Sequence, residues 1–342
     1  MAKQWVVRGR WCSFSVPVSS LWMMALVSAV TLVVLLGSLM LGDSLLSPQT
    51  VLQALWNSEA SEYGFVVETL RLPRILMAAM VGAALALSGL VLQSMIRNPL
   101  ASPDIIGITS GASAAAVAFL SLFAGLGMGW LPVFAIAGAL VAALAIYVLA
   151  WRNGVTPMRL ILVGIGVSAA MGAVTTLLIA VSSTATSITA YIWLTGSVYG
   201  SDWHDVRALA PWLLVSMPLA LCLARRINAQ ELGDQLATGL GVSVQQLRLV
   251  LLGLSVLLAA PAVAYAGAVG FVGLIAPHIA RRLVTRSFGL LMPATAMIGA
   301  SLVMLADLIG RTLFQPLDIP AGVFVSAIGA PFFIFLLYRQ RF

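Results

Sequence analysis

Apolar stretches of about 20 residues recur along this chain, each long enough to cross about 30 Å of hydrocarbon. Inside a bilayer the backbone must satisfy its own polar groups, so such runs fold as helices. The alternation of apolar and polar residues that marks a transmembrane barrel is missing. Charged residues make up 8% of the 342 positions, against roughly one quarter in soluble domains. The expected fold is all-α, a polytopic membrane protein forming one domain over residues 1–342.

Ten crossings fit best, near residues 21–41, 74–95, 104–124, 130–150, 159–182, 206–225, 246–267, 270–284, 289–311 and 320–338. Lys3, Arg8 and Arg10 precede the first run and give it the look of a signal peptide. Leu21 to Leu41 is too long for an h-region and lacks an A-x-A site, so it is expected to stay as a span. The eighth run is short and carries Arg281 and Arg282. Charge bias supports it: with ten spans and a cytoplasmic N-terminus, fourteen of the eighteen basic residues fall inside. Deleting it would carry Arg281, Arg282 and Arg286 outward. Residues 1–20 then form a cytoplasmic arm, residues 42–73 an outer loop, and the C-terminus is cytoplasmic. The net charge of +7 sits in clusters beside span ends, so lipid is the expected partner and nucleic acid is not.

The chemistry that composition excludes is extensive. Lys3 is the single lysine, so a G-x-x-x-x-G-K-[ST] phosphate loop cannot form and any work must be powered by a partner or a gradient. Cys12, Cys222, His204 and His278 lack metal-ligand spacing, and no paired carboxylates, HExxH, CxxC or nucleophile elbow is present. No catalytic site and no metal site are expected. Asp307 is the one acid well inside an apolar run. It lies four residues from Arg311, which suggests a structural ion pair within one helix. Without a set of mid-membrane carboxylates, an ion-coupled secondary transporter has little support.

Other features read as organisation. Gly82, Ala83, Ala86 and Gly89 in the second span, and Gly164, Gly166 and Gly172 in the fifth, suit close helix packing in lipid. Two stretches break apolar sequence, Asn98-Pro99 through Pro103 and Gly267 through Pro277, and such backbone must be buried in protein or line a cavity. The inner connection, residues 227–245, reads as a short helix, a glycine break and a new helix start, with Ser243 capping and Gln246 reaching back. Spacing alone fits both a solvated loop and a knob gripped by a cytoplasmic partner. Arg71, Arg74 and Arg311 set fixed positive charge at the outer rim, either as anchors or as recipients of carboxylates.

At this point the chain resembles the permease subunits of binding-protein-dependent ABC importers for ferric siderophores, haem and vitamin B12. The matching stretches are Arg71-Leu72-Pro73-Arg74, Val81 through Gly89, Arg97-Asn98-Pro99-Leu100-Ala101-Ser102-Pro103-Asp104 and Trp193-Leu194-Thr195-Gly196-Ser197. Leu232-Gly233-Asp234, Leu240-Gly241-Val242, the run Phe271 through His278 and Ala306-Asp307 complete them. The resemblance implies a type II ABC importer permease fold of ten helices, paired with an identical or paralogous second permease subunit. Two cytoplasmic ATPases, which hold the ATP and Mg, and an external binding protein are the further partners it implies; the chain itself would bind no cofactor and catalyse nothing. It assigns binding-protein docking to Arg71, Arg74 and Arg311. It assigns ATPase coupling to Glu231, Leu232, Gly233, Asp234, Ala237, Leu240 and Gly241, and the cytoplasmic gate to Asn98, Leu100, Pro157 and Met158. The string Arg97 through Asp104 is similar to ferric-siderophore members, and Trp151-Arg152-Asn153-Gly154 to those handling catecholate chelates. The expected function is import of a ferric siderophore across a bacterial inner membrane, with haem or vitamin B12 as the alternative cargo.

Overall fold

The computed structural model describes residues 4–8, 13–57 and 61–339. Lys3, Arg10, Cys12 and Arg341, used in the charge and cysteine readings, lie outside them. The chain opens with an antiparallel pair, β1 Gln4–Arg8 against β2 Ser13–Pro17, and enters α1 at Val18–Met40. This pair is confined to the arm, ahead of an otherwise helical chain, and Trp5-Val6-Val7 with Phe14 through Val16 are the residue types that favour it. The expected outer loop holds two further elements. One is α2 Pro48–Trp56, where the Ser47 side chain accepts from the Thr50 amide and Pro48 begins the helix without a missing bond. The other is a π-helical turn, Val66–Arg71, running straight into α3 Leu72–Ile96.

The chain continues through α4 Ile108–Leu122, α5 Leu131–Ala150, α6 Pro157–Val181, α7 Thr184–Thr195 and α8 Trp203–Glu231. It ends with α9 Asp234–Gly239, α10 Val244–Ala266, α11 Val272–Leu283, α12 Phe288–Thr312 and α13 Ala321–Arg339. Among the described residues, seven helices are long and apolar enough to cross a bilayer. The shorter apolar helices α4 and α13 match two more of the ten expected crossings, and α11 stands where the eighth was expected. With 12 residues, α11 is about 18 Å long, so it reaches only part of the way. Its entry, residues 267–271, is non-helical, with Gly267 and Val269 buried and the other three half-buried, in keeping with a break packed within protein.

Small residues decide which helix sits at the centre. The inner helix α3 is buried along most of its length and packs on α12, α10, α11 and α8. A methyl group on Gly82 would collide with the carbonyl of Gly299 in α12, and one on Gly89 with the carbonyl of Gly273 in α11. The packing role expected for the second span therefore holds. In the fifth span only Gly164 packs, against the backbone of Ile106; a Cβ at Gly166 or Gly172 would meet nothing within 4 Å. Those two glycines lie on the bare side of α6.

Gly89→Val is expected to cost about 2 kcal/mol or more, because backbone rather than a side-chain tip blocks the added atoms. Gly166→Ala should stay within about 0.5 kcal/mol of the parent. Thermal unfolding of both variants in detergent, read by tryptophan fluorescence, checks the contrast.

Candidate functional site

Around the start of α3 three arginines surround a cavity of about 720 Å³. Arg71 is 6% exposed, and its guanidinium donates to the carbonyls of Leu39 (2.8 Å), in the last turn of α1, and Ser44 (2.8 Å), just beyond it. Arg311 is 9% exposed and donates to the Ser38 carbonyl. Arg74 lies between two carboxylates, with Nη2 2.8 Å from Asp307 Oδ1 and Nη1 2.6 Å from Asp318 Oδ2. Its guanidinium also sits 5.4 Å from the centre of the Tyr199 ring. The expected pair of Asp307 with Arg311 exists at 3.6 Å, but Arg74 is the nearer partner of Asp307. The i,i+4 spacing suggested the intrahelical pair; nothing in the sequence suggested Asp318, 244 positions from Arg74.

These contacts change the picture of the outer arginines. All three are engaged by partners within the fold. Asp43, Asp202 and Asp318 line the same cavity and offset the three guanidinium charges. A carboxylate arriving from outside must displace an internal partner to pair with any of them.

At the opposite, arginine-rich end, the connection between α8 and α10 presents Leu232, Leu236 and Leu240 to solvent, each more than 60% exposed. Their spacing of four puts them along one side of the turn-α9-turn segment. Gly241 is also exposed, whereas Ala237 is fully buried against the bundle. Glu231 likewise turns inward: its Oε1 accepts from Ser94 Oγ at 2.7 Å. Ser243 does not cap α10; its hydroxyl donates to Gln246 Oε1 at 2.8 Å instead.

Asp234 joins this segment to both expected gate loops. Its Oδ1 lies 3.2 Å from Arg97 Nη2, and Arg97 precedes Asn98. Its Oδ2 lies 2.6 Å from Arg248 Nη2, whose Nη1 donates to the Val155 carbonyl at 2.7 Å, two residues before Pro157. Gln245 also holds Val155, receiving its amide at 2.9 Å. Gly233 makes room for this, since it adopts φ +115° and a Cβ there would lie 3.3 Å from Arg97 Nη1. Sequence reasoning missed Arg248, which is 2% exposed; a lone arginine about one turn into an apolar helix was the available signal.

Within the gate loops, Asn98 Oδ1 accepts from the Leu100 amide at 2.9 Å, which tightens the turn after α3. Pro157 begins α6, and the neighbouring Met158 is 66% exposed. Among the described residues no hydrogen bond or ion pair joins the Asn98 turn directly to Pro157 or Met158; Asp234 is the link. The two helix breaks also meet. Asp104 Oδ2 accepts from the Phe271 amide at 3.4 Å, and Gln93 Nε2 donates to the Gly273 carbonyl at 3.1 Å.

One group of ligand-type side chains occurs among the described residues. Asp202, His204 and Asp205 bring three ligand atoms within 4.8 Å at the start of α8. Asp202 and Asp205 are already engaged there in a capping box.

Arg74→Gln should destabilise the chain by about 3 kcal/mol, since it leaves a buried carboxylate on Asp307 without its main partner. Arg207→Gln, which removes an outer charge that donates only to the Trp203 carbonyl, should shift stability by about 0.5 kcal/mol at most. Heat denaturation of the two purified variants measures the difference.

Known proteins show the same plan. The chain is 57% identical over 311 residues to the achromobactin transport system permease protein of Dickeya dadantii (strain 3937), covering 91% of this chain and 89% of that one. It is 44% identical over 327 residues to a siderophore transport system permease protein of Bacillus subtilis (strain 168), covering 94% and 95%. Its backbone superposes on a solved metal-chelate type ABC transporter in an inward-facing conformation with a TM-score of 0.82 and 32% identity, over 94% of this chain and 100% of that one. The fold is that of type II ABC importer permeases. The match to the family model runs over residues 30–339, from within α1 to the end of α13, and the chain belongs to the FecCD transport family.

Proposed function

We propose that this chain is the permease subunit of an ATP-driven importer that moves a ferric siderophore across a bacterial inner membrane. The observation that carries the reading is Asp234, a single carboxylate bonded to arginines that reach both gate loops, beside a row of exposed leucines. Apolar side chains on an otherwise polar surface favour burial by a partner. Two cytoplasmic ATPases seat there, one on each permease subunit, and supply the ATP and Mg that this chain does not hold. When ATP binding shifts α9, Asp234 carries the displacement to Arg97 and Arg248, and so to the turns beginning at Asn98 and Pro157. Access then switches from the outer face to the cytoplasm.

The remaining partners follow from the bare surfaces. The exposed side of α6, with Gly166 and Gly172, suits close approach by a second permease subunit, and the conduit runs along that interface. An external binding protein docks over the cavity around Arg71, Arg74 and Arg311, exchanging its carboxylates for internal ones such as Asp318. The positive-inside bias sets both termini in the cytoplasm. The cargo reaches this chain with its iron already ligated, so small and apolar walls suffice for passage. Relatives named for achromobactin and for siderophores support a ferric siderophore as cargo, and the reading is held at that class rather than at catecholates.

Two variants separate seating from transmission. Replacing Leu232, Leu236 and Leu240 together by Ser should abolish co-purification of the ATPases. Asp234→Asn should keep the ATPases attached and still hydrolysing ATP, while lowering siderophore-dependent iron uptake by about tenfold. Normal uptake by Asp234→Asn removes the transmission role, and ATPases retained by the triple variant remove the seating.

A further inference from the structure

A second cavity, of about 490 Å³, opens at the arginine-rich end between the C-termini of α3 and α8 and the helix α11. Arg97, Arg281, Arg282 and Arg286 line it, against one carboxylate, Glu231. That carboxylate is occupied by Ser94 Oγ and stands 3.8 Å from Arg281 Nη1, a loose pair. Arg97 is engaged with Asp234. Among the described residues no carboxylate comes within 4.0 Å of Arg282 or Arg286. The Nε of Arg281 is buried with no hydrogen-bond partner.

Four guanidinium groups around one concave space repel one another, and the repulsion strengthens as burial lowers the local dielectric. Ordinary positive-inside anchoring sets arginines singly against headgroups along a membrane face, without a cavity. A seated anion would relieve the repulsion. Guanidinium groups fit phosphate oxygens in paired hydrogen bonds, and basic pockets between spanning helices take phosphorylated headgroups. We propose that this cavity is a binding site for a phosphoryl anion, carried by an anionic phospholipid headgroup or free as phosphate. Bound there, the anion ties α11 to Arg97 at the end of α3, beside the turn at Asn98. The site is independent of which cargo the bundle carries.

The test uses the purified full chain in detergent, titrated with phosphatidylglycerol, phosphatidylcholine or inorganic phosphate and read by native mass spectrometry. Phosphatidylglycerol should bind saturably and about tenfold more tightly than phosphatidylcholine. The pair Arg282→Gln and Arg286→Gln should weaken that binding about thirtyfold. The pair Arg225→Gln and Arg226→Gln, removing the same charge beside a separate cavity, should leave it within about twofold. Competition by inorganic phosphate identifies free anion as an occupant; saturable lipid binding without that competition identifies the headgroup. Equal affinity for the two lipids with no retained phosphate overturns the site, and so does equal loss in the two arginine pairs. The lipid and phosphate comparison on the unaltered chain stands even if the Arg282 and Arg286 variant does not fold.

Discussion

A backbone amide or carbonyl left alone at membrane depth is costly, and each break in these helices is served by a side chain from elsewhere. Carbonyls around the end of α1 receive Arg71 and Arg311. The carbonyl of Gly273 receives Gln93, the amide of Phe271 reaches Asp104, and Gln230 Nε2 donates to the Met95 carbonyl at 3.4 Å. Val155, before α6, is held by Gln245 and Arg248. Few polar residues are spread through this bundle, and many of them sit where a helix stops. The irregular backbone that a transport bundle needs for movement is kept affordable in this way.

That arrangement also links the two faces of the molecule to its middle. The central helix α3 begins beside Arg71 and Arg74 at the outer cavity and ends at Arg97 at the other end. Its glycine-lined contacts with α11 and α12 leave no slack, so a shift of its lower end is felt along its length. Asp234 is attached at that lower end. A carboxylate about 42% exposed on one side and an arginine 2% exposed on the other form a joint between surface and core.

Much of this plan was legible in the amino-acid order, because a span is a matter of length and hydropathy. The positions of the seven long spans, the broken stretches at Asn98 and Gly267 and the short helix after Gly233 follow from local composition. The elements that were not read are those without such a signature. The helix α7 is half polar, and α2 announces itself only through Ser47 and Pro48, a capping pair inside an apparent loop. The partners of Arg74 lie 233 and 244 positions away, beyond the reach of any spacing rule. Ala237 and Glu231 sit within a legible motif, but only the rotation of α9 and the end of α8 decides that they face inward while Leu236 and Leu240 face out.

The proposed importer requires a passive bundle whose driving force comes from proteins on either side. The direct measurement is concentrative uptake of a ferric siderophore into proteoliposomes holding this chain and its second permease subunit, with and without the ATPases, the binding protein and ATP. Uptake that appears only when all of these are supplied, and is unchanged by an imposed proton or sodium gradient, is the predicted result. Accumulation driven by an ion gradient in the absence of the ATPases would contradict it.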